Sequence, residues 1–421
     1  MAISKKSLDI FLLQLMLISA VIEKVVWKLA GFNCSLYMVV GVIIIVYSVF
    51  SSNFKLTFYK NFSNLLFIKF LLIFVVLFQF MYIEYTDGKI LDLYVKGLGL
   101  KLLDLGIFIA GFNIMFRMPS GSFSLLMNTF AILGIVNIIS NGLQLVNPEI
   151  DEIYKEFFFT DAEKLGLNGI RITGLFTDAN NNGVFLLLSA ISFLCARFYY
   201  QSFFRYAYVF LSVLACILAI MTCSRTVWIG LVVFSLLYFK KTDVKGKFII
   251  LAIVVLAIFV MNDLYETDPM VRYLIEERTE TLSASDIEYN SHYAILFDAI
   301  NMWLKNVYTF FFGVGCNLLG YYYGIEYLLP GYKAHCYYIQ ILSEYGIVGL
   351  LLVICFISQL FTFINRKKRE GFFLFAMLIT LLSVNFTYDS MMQPMYTMLI
   401  ILIVSFYKDS DLFEQYEVND K

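Results

Sequence analysis

Residues 62–83 read FSNLLFIKFLLIFVVLFQFMYI, with Lys69 as the one charge among them. About 20 apolar residues are enough for a helix to cross the hydrocarbon core of a bilayer. Eleven further apolar runs predict helices at 8–30, 35–50, 94–116, 123–146, 180–197, 205–222, 226–239, 248–262, 335–363, 372–387 and 393–407. The break at Thr222–Thr226 is the least marked of the boundaries. Strands of a membrane barrel would instead alternate over about 10 residues. The 421-residue chain is 60% hydrophobic and 15% charged, whereas a soluble domain carries about 25% charge. Lipid must cover this surface. The expectation is an all-α polytopic integral membrane protein of about twelve spans, folded as a single membrane domain over 1–421.

Lys5 and Lys6 precede the first run, and Glu23, Lys24 and Lys28 close it without a small-residue cleavage site. That pattern predicts a retained span rather than a signal peptide. Basic residues then set the orientation. With the N-terminus cytoplasmic, the short inside segments hold 17 of the 31 Lys and Arg, and the longer outside segments hold nine. Both termini are therefore expected in the cytoplasm, across a bacterial plasma (inner) membrane.

Two long segments face outward in this arrangement, 147–179 and the large loop 263–334 between spans nine and ten. Both are acidic, with seven and ten Asp and Glu respectively. Loops beyond about 12–15 residues are uncommon and usually functional. Within the large loop, 292–305 carries apolar residues at three- and four-residue spacing, which predicts a helix packed on the bundle or lying over it as a lid. Of the seven cysteines, those inside apolar runs are expected to pack as small buried residues. Cys316 and Cys336 face outward in this scheme and are free to form a bridge. The sequence has no phosphate-binding GKS/T loop, no HExxH, no GxSxG and no basic nucleic-acid patch. No metal, cofactor or nucleic-acid partner is expected.

Three stretches on the outer side could carry chemistry. The first is RITGLFTDANNNG, 171–183; the second is CSRT, 223–226; the third runs from Gly313-Val-Gly315 through His335 to Ser343-Glu344-Tyr345-Gly346. Arg171 and Arg225 lie on the side where basic residues are scarce, and Arg225 is almost inside the apolar region. Arginine near lipid is costly, and its planar fork suits diphosphate oxygens. Snorkelling or a loop ion pair is the plain alternative. The chain has two histidines, His292 and His335. His335, at the mouth of a helix, titrates near neutrality and could act as a base, or be satisfied by neighbouring polar groups. His292 opens an ordinary-looking helix. Lys101 and Asp104 are three residues apart and are expected to pair on one helix face, with a contribution of Lys96 and Lys101 to an anion cavity as the sharper alternative. Glu344 and Asp389 lie near outer helix ends, where either could orient His335.

These stretches together resemble the O-antigen polymerase and O-antigen ligase superfamily, which comprises the Wzy-type polysaccharide polymerases and their ligase relatives. Its Arg-x-x-Gly-x-Phe-x-(Asn/Asp)-Pro-Asn pattern is similar to 171–180, with Ala179 at the proline position. Its Ser-Arg matches 224–225. Its Gly-x-Gly, Ala-His-Asn and Glu-x-Gly-(Ile/Leu)-(Ile/Val)-Gly elements match 313–349, with Cys336 in place of Asn. The likeness spans roughly 165–390. It implies a GT-C-like, metal-independent glycosyltransferase whose donor glycan is linked to undecaprenyl pyrophosphate. It further implies His335, Arg225 and Arg171 as catalytic residues, with Asn180 and Glu344 near the substrate; Lys101 joins the substrate-side candidates only through its place in the outer half of the fourth span. The family often has an arginine in the large loop; Arg272 or Arg278 stands nearest to that role. The resemblance also implies inversion at the anomeric carbon and association with a chain-length regulator. A divergent, aromatic-rich sequence favours a polymerase of O-antigen or capsule over a ligase. A lipid-linked oligosaccharide flippase is the alternative from another class. That class favours mid-membrane polar groups and repeat symmetry, whereas Lys69 is expected to snorkel to the cytoplasmic side.

Overall fold

The computed structural model describes residues 5–22, 26–29, 32–52, 60–83, 88–147, 171–200, 203–267, 272, 276, 291–326, 333–387 and 394–410. Each of the twelve apolar runs falls on a helix: α1 (Lys5–Val21), α2 (Leu36–Ser51), α3 (Lys60–Gln79), α4 (Gly88–Arg117), α5 (Ser122–Val146), α6 (Ala179–Ala196), α7 (Phe203–Met221), α8 (Arg225–Lys241), α9 (Val244–Thr267), then α13 (Tyr337–Thr362), α14 (Arg369–Val384) and α15 (Pro394–Lys408). Between α9 and α13 lie α10 (Ser291–Leu304), α11 (Val307–Phe312) and α12 (Leu319–Glu326). Among the described residues, six helices are long and apolar enough by themselves to cross a membrane: α3, α4, α5, α6, α7 and α13. The protein is an all-α polytopic membrane protein.

Several boundaries differ from expectation. The first run does not reach residue 30, because α1 ends at Val21. An antiparallel hairpin follows, β1 (Val26–Leu29) with β2 (Phe32–Ser35), pairing Trp27 with Cys34. The Glu23–Lys24 step interrupts the apolar run, and Val26-Trp27 favours extended backbone. At the large loop, α9 continues to Thr267. The predicted loop helix exists as α10 and packs on the bundle. Ile295, Ala299 and Met302 are buried against Leu319, Tyr323 and Ala334, and the Ser343 hydroxyl donates to Ala299 O at 2.9 Å.

The central helix is α6, whose residues from Asn181 to Ala196 are all buried. Asn182, Ser189 and Ser192 sit in that core; the two serines donate to backbone carbonyls inside the helix, as polar groups in lipid must. One end of the bundle is tied by basic side chains. Arg117 pairs with buried Asp9 at 3.0 Å, and Tyr47 donates to the same carboxylate. The Lys408 ammonium caps the C-terminus of α4 through the carbonyls of Met115 and Met118, where the helix dipole is negative. The C-terminal end of α6 and the start of α14 meet at that end, with Arg369 over the Phe198 ring at 5.2 Å. Because α6 and α14 run the length of the bundle, the start of α6 and the end of α14 lie at the opposite end.

Candidate functional site

The opposite end collects the three stretches. Asp178 caps α6, accepting from Asn180 N at 2.6 Å and Asn181 N at 3.3 Å. Ser224 caps α8, accepting from Val227 N at 3.4 Å. The Asn180 side-chain oxygen joins the two caps, accepting from the Ser224 hydroxyl at 2.7 Å and from the Arg171 guanidinium at 3.1 Å. Arg171 also donates through Nε to Thr222 O at 2.7 Å. The first and second stretches are thus one hydrogen-bonded unit.

The third stretch reaches this unit through the turn after α14. Thr387 donates to the Thr226 hydroxyl at 2.9 Å, and Tyr337 N donates to Asn385 O at 2.9 Å. Arg225 and His335 therefore stand one and two residues from groups fixed to the same short turn. The N-termini of α6, α8 and α13 all open here, and each presents the positive end of a helix dipole. With Arg171 and Arg225 half-buried beside them, this end of the bundle favours an anion.

Buried amides hold the Arg171 stretch in place. Asn137, Asn141 and Gln144 lie on one face of α5. The Gln144 oxygen accepts from Thr173 N and Gly174 N at 3.1 and 2.9 Å, and the Asn137 oxygen accepts from Leu175 N at 3.0 Å. The Asn182 oxygen accepts from Asn137 at 2.8 Å, and its amide donates to Asn141 at 2.7 Å and to Ile172 O at 3.0 Å. Sequence reasoning missed this set, although the spacing i, i+4, i+7 places the three amides on one helical face.

The Gly-x-Gly element docks backbone on backbone. Helix α13 breaks at Gly346, with φ 67° and ψ −170°. The break frees Ser343 O and Glu344 O to accept from Val314 N at 2.8 Å and Gly315 N at 3.2 Å. A Cβ on Gly346 would lie 2.2 Å from the Phe311 carbonyl carbon, so only glycine fits. Buried Gln79 completes the joint: its amide donates to Phe312 O and, at 2.7 Å, to Glu344 O, while its oxygen accepts from Cys316 N at 3.0 Å.

Beside this joint lies a cavity of about 1090 Å³. Lys101 and Glu344 line it, as do Thr177 and Tyr337; Arg171, Arg225 and His335 are not among its lining residues. Glu344 accepts from the Gln340 amide at 2.7 Å and from the backbone of Asn317. The Lys101 ammonium lies over the Tyr345 ring, 5.5 Å from its centroid.

Other expectations are corrected. Asp104 pairs with Lys69 across α3 and α4, not with Lys101 along α4. Lys69 therefore does not snorkel to the cytoplasmic side: its ammonium points into the cavity wall, 5.2 and 5.4 Å from the Phe108 and Phe356 rings. Lys96 pairs with Asp92. Arg272 is exposed and donates to Tyr265 O and Glu266 O near the end of α9; nothing among the described residues ties it to the three stretches. Arg278 and Asp389 lie outside the described residues, as does most of 147–179. His292 opens α10. Cys316 and Cys336 are separate, buried free thiols. Burial pushes the Cys316 thiol up to about 11. No group of three or more metal-ligating side chains occurs among the described residues.

The fold and this end of the bundle define a polytopic helical membrane protein with an anion-favouring centre next to an internal cavity. Residues 210–354 match the family model described as O-antigen ligase, consistent with the O-antigen ligase and polymerase superfamily. Members of that family are membrane glycosyltransferase-like enzymes. The matched segment includes Arg225, His335 and Glu344 and leaves Arg171, Asn180 and Lys101 outside it. No curated protein matches the chain.

Proposed function

We propose that the protein polymerises repeat units of a surface polysaccharide. It would transfer glycan from an undecaprenyl-pyrophosphate-linked donor to an acceptor hydroxyl on the outer face of the membrane. The observation that carries this reading is the bonded unit of Arg171, Asn180 and Ser224, tied through one turn to the segments bearing Arg225 and His335. Pyrophosphate is a good leaving group, so the chemistry needs charge stabilisation at the departing diphosphate and a base for the acceptor hydroxyl. Arg171 and Arg225, with three helix N-termini, supply the first. His335 in its neutral form supplies the second. The acceptor oxygen bonds to the anomeric carbon as the carbon–oxygen bond to diphosphate breaks, and His335 takes the hydroxyl proton.

Orientation supports the same reading. Arg117, Lys408 and Arg369 gather at the end opposite the three stretches, and the positive-inside rule favours the outer face for the candidate site. Purified protein supplied with lipid-linked oligosaccharide alone should lengthen the glycan without ATP or an ion gradient. Absence of product under those conditions overturns the assignment. The matched domain's description favours a ligase as the second reading. A deletion strain separates the two: single repeat units remain on the acceptor when a polymerase is lost, and none when a ligase is lost.

A further inference from the structure

The Lys69–Asp104 pair is unexplained by that mechanism. Lys89 and Asp104 both line the cavity and lie fifteen residues apart on α4. At 1.5 Å per residue Asp104 lies about 22 Å along α4 from the exposed Lys89, deep within a hydrocarbon core about 30 Å thick. The Asp104 side chain is nevertheless 39% exposed, and that of Lys69 16%. Both line the cavity, which accounts for the exposure. Around them stand Tyr37, whose hydroxyl donates to Thr397 at 3.0 Å, and Tyr396, which is 8% exposed. The Tyr396 ring packs behind them, with its hydroxyl closed off from the cavity.

A hydrocarbon tail seated here would strip water from two charges, at a cost that nothing in the tail offsets. A polyhydroxylated ligand does the reverse, because its hydroxyls donate charge-assisted bonds to the Asp104 carboxylate and exchange bonds with the Thr397 hydroxyl, both on the cavity lining. Phe108 and Phe356 flank the ammonium with apolar rings that fit the carbon face of a sugar.

We infer that the inner part of the cavity around Lys69, Asp104 and Thr397 is a saccharide subsite, holding a sugar residue of the glycan inside the membrane. The identity of the sugar as part of the transferred glycan rests on the transferase reading; its binding does not. The test uses full-length protein in nanodiscs and two probes: the repeat-unit oligosaccharide released from the host's surface polysaccharide by mild acid, and undecaprenyl phosphate. The variants are Thr397→Val, which keeps shape, and the pair Lys69→Met with Asp104→Leu, which leaves no lone charge.

Both variants should bind the oligosaccharide at least about tenfold more weakly, the scale of losing one bond to a charged or buried partner. Undecaprenyl phosphate binding should stay unchanged, which also shows that the variants are folded. Unchanged oligosaccharide affinity in both variants overturns the inference. So does tighter undecaprenyl phosphate binding by the apolar pair, since that places the tail in the inner part of the cavity. Oligosaccharide binding by protein that transfers no glycan would retain the subsite and remove only the transferase reading.

Discussion

Replacing Gly174 by Ala tests whether the amide set positions Arg171. Gly174 has φ +55°, and an added Cβ would sit 2.3 Å from the Asn137 oxygen, 2.6 Å from the Asn141 nitrogen and 2.7 Å from the Asn182 oxygen. The left-handed backbone alone costs alanine about 1–2 kcal/mol. The Asn137 oxygen must also retreat by about 1 Å to reach ordinary contact at 3.4 Å, which breaks its bond from Leu175 N. Losing two buried bonds of this set costs about 1–3 kcal/mol each, for a total of about 3–8 kcal/mol. Gly121→Ala is the control, because φ there is +86° and nothing lies within 4 Å of the new Cβ. It should cost about 1–2 kcal/mol. Thermal unfolding of the two purified variants in one detergent compares them directly, and a gel of surface polysaccharide reads activity. G174A should melt well below G121A and shorten the polymer. Equal melting points with full-length polymer from both would refute the reasoning.

His335→Ala should end chain growth at unchanged membrane level, read by polysaccharide gel and immunoblot; full-length polymer rules out the base role. His335→Gly should be equally inactive yet more stable than the alanine variant by about 1 kcal/mol, because His335 has φ 51°; a melting comparison checks it. Arg225→Lys keeps the charge and loses the planar fork, so glycan transfer should fall about tenfold or more; wild-type transfer would leave snorkelling as the account of Arg225. The buried Cys316 thiol, pushed up to about 11, should resist maleimide at pH 8 in folded protein and react on unfolding. Its ordinary value is 9.0, so the unfolded thiol ionises first and this group's contribution to stability falls as pH rises between the two values. Rapid labelling of folded protein at Cys316 would contradict its burial.

The helices were legible because a bilayer demands long apolar runs, and such runs survive any change of neighbours. The hairpin after Val21 was not, because a charged step inside an otherwise apolar run reads equally well as a helix end and as a snorkelling turn. At the site, the arginines and His335 stood out as polar groups where polar groups are scarce. Their supports did not. Gln79 and Asn137 are amides in apolar helices, and only the fold reveals that each meets loop backbone. Lys69 and Asp104 lie 35 positions apart, so helix spacing pairs Asp104 with Lys101 and cannot show the neighbouring helix. Charge pairing across helices depends on packing, whereas pairing along a helix depends on period alone.

Backbone strain points to the same end of the molecule as the side chains do. Among the described residues, three non-glycine residues have positive φ: Cys223 at 50°, Asn317 at 61° and His335 at 51°. Asn tolerates this region, but Cys and His are held there at a cost of about 1–2 kcal/mol each. Cys223 precedes the Ser224 cap and Arg225. Asn317 bonds Leu93 O at 3.1 Å and lines the cavity next to Cys316. His335 lies between Ala334 N, bonded to Gln340 at 2.8 Å, and Tyr337 N, bonded to Asn385 O. Strained residues persist where their surroundings over-determine them, and such places are commonly functional. A histidine kept only to satisfy its own hydrogen bonds would have no need of a left-handed backbone. Here the bonds on either side fix the backbone of His335, and with it the direction in which the imidazole leaves the chain. That is the arrangement a base requires if its nitrogen must meet one acceptor hydroxyl.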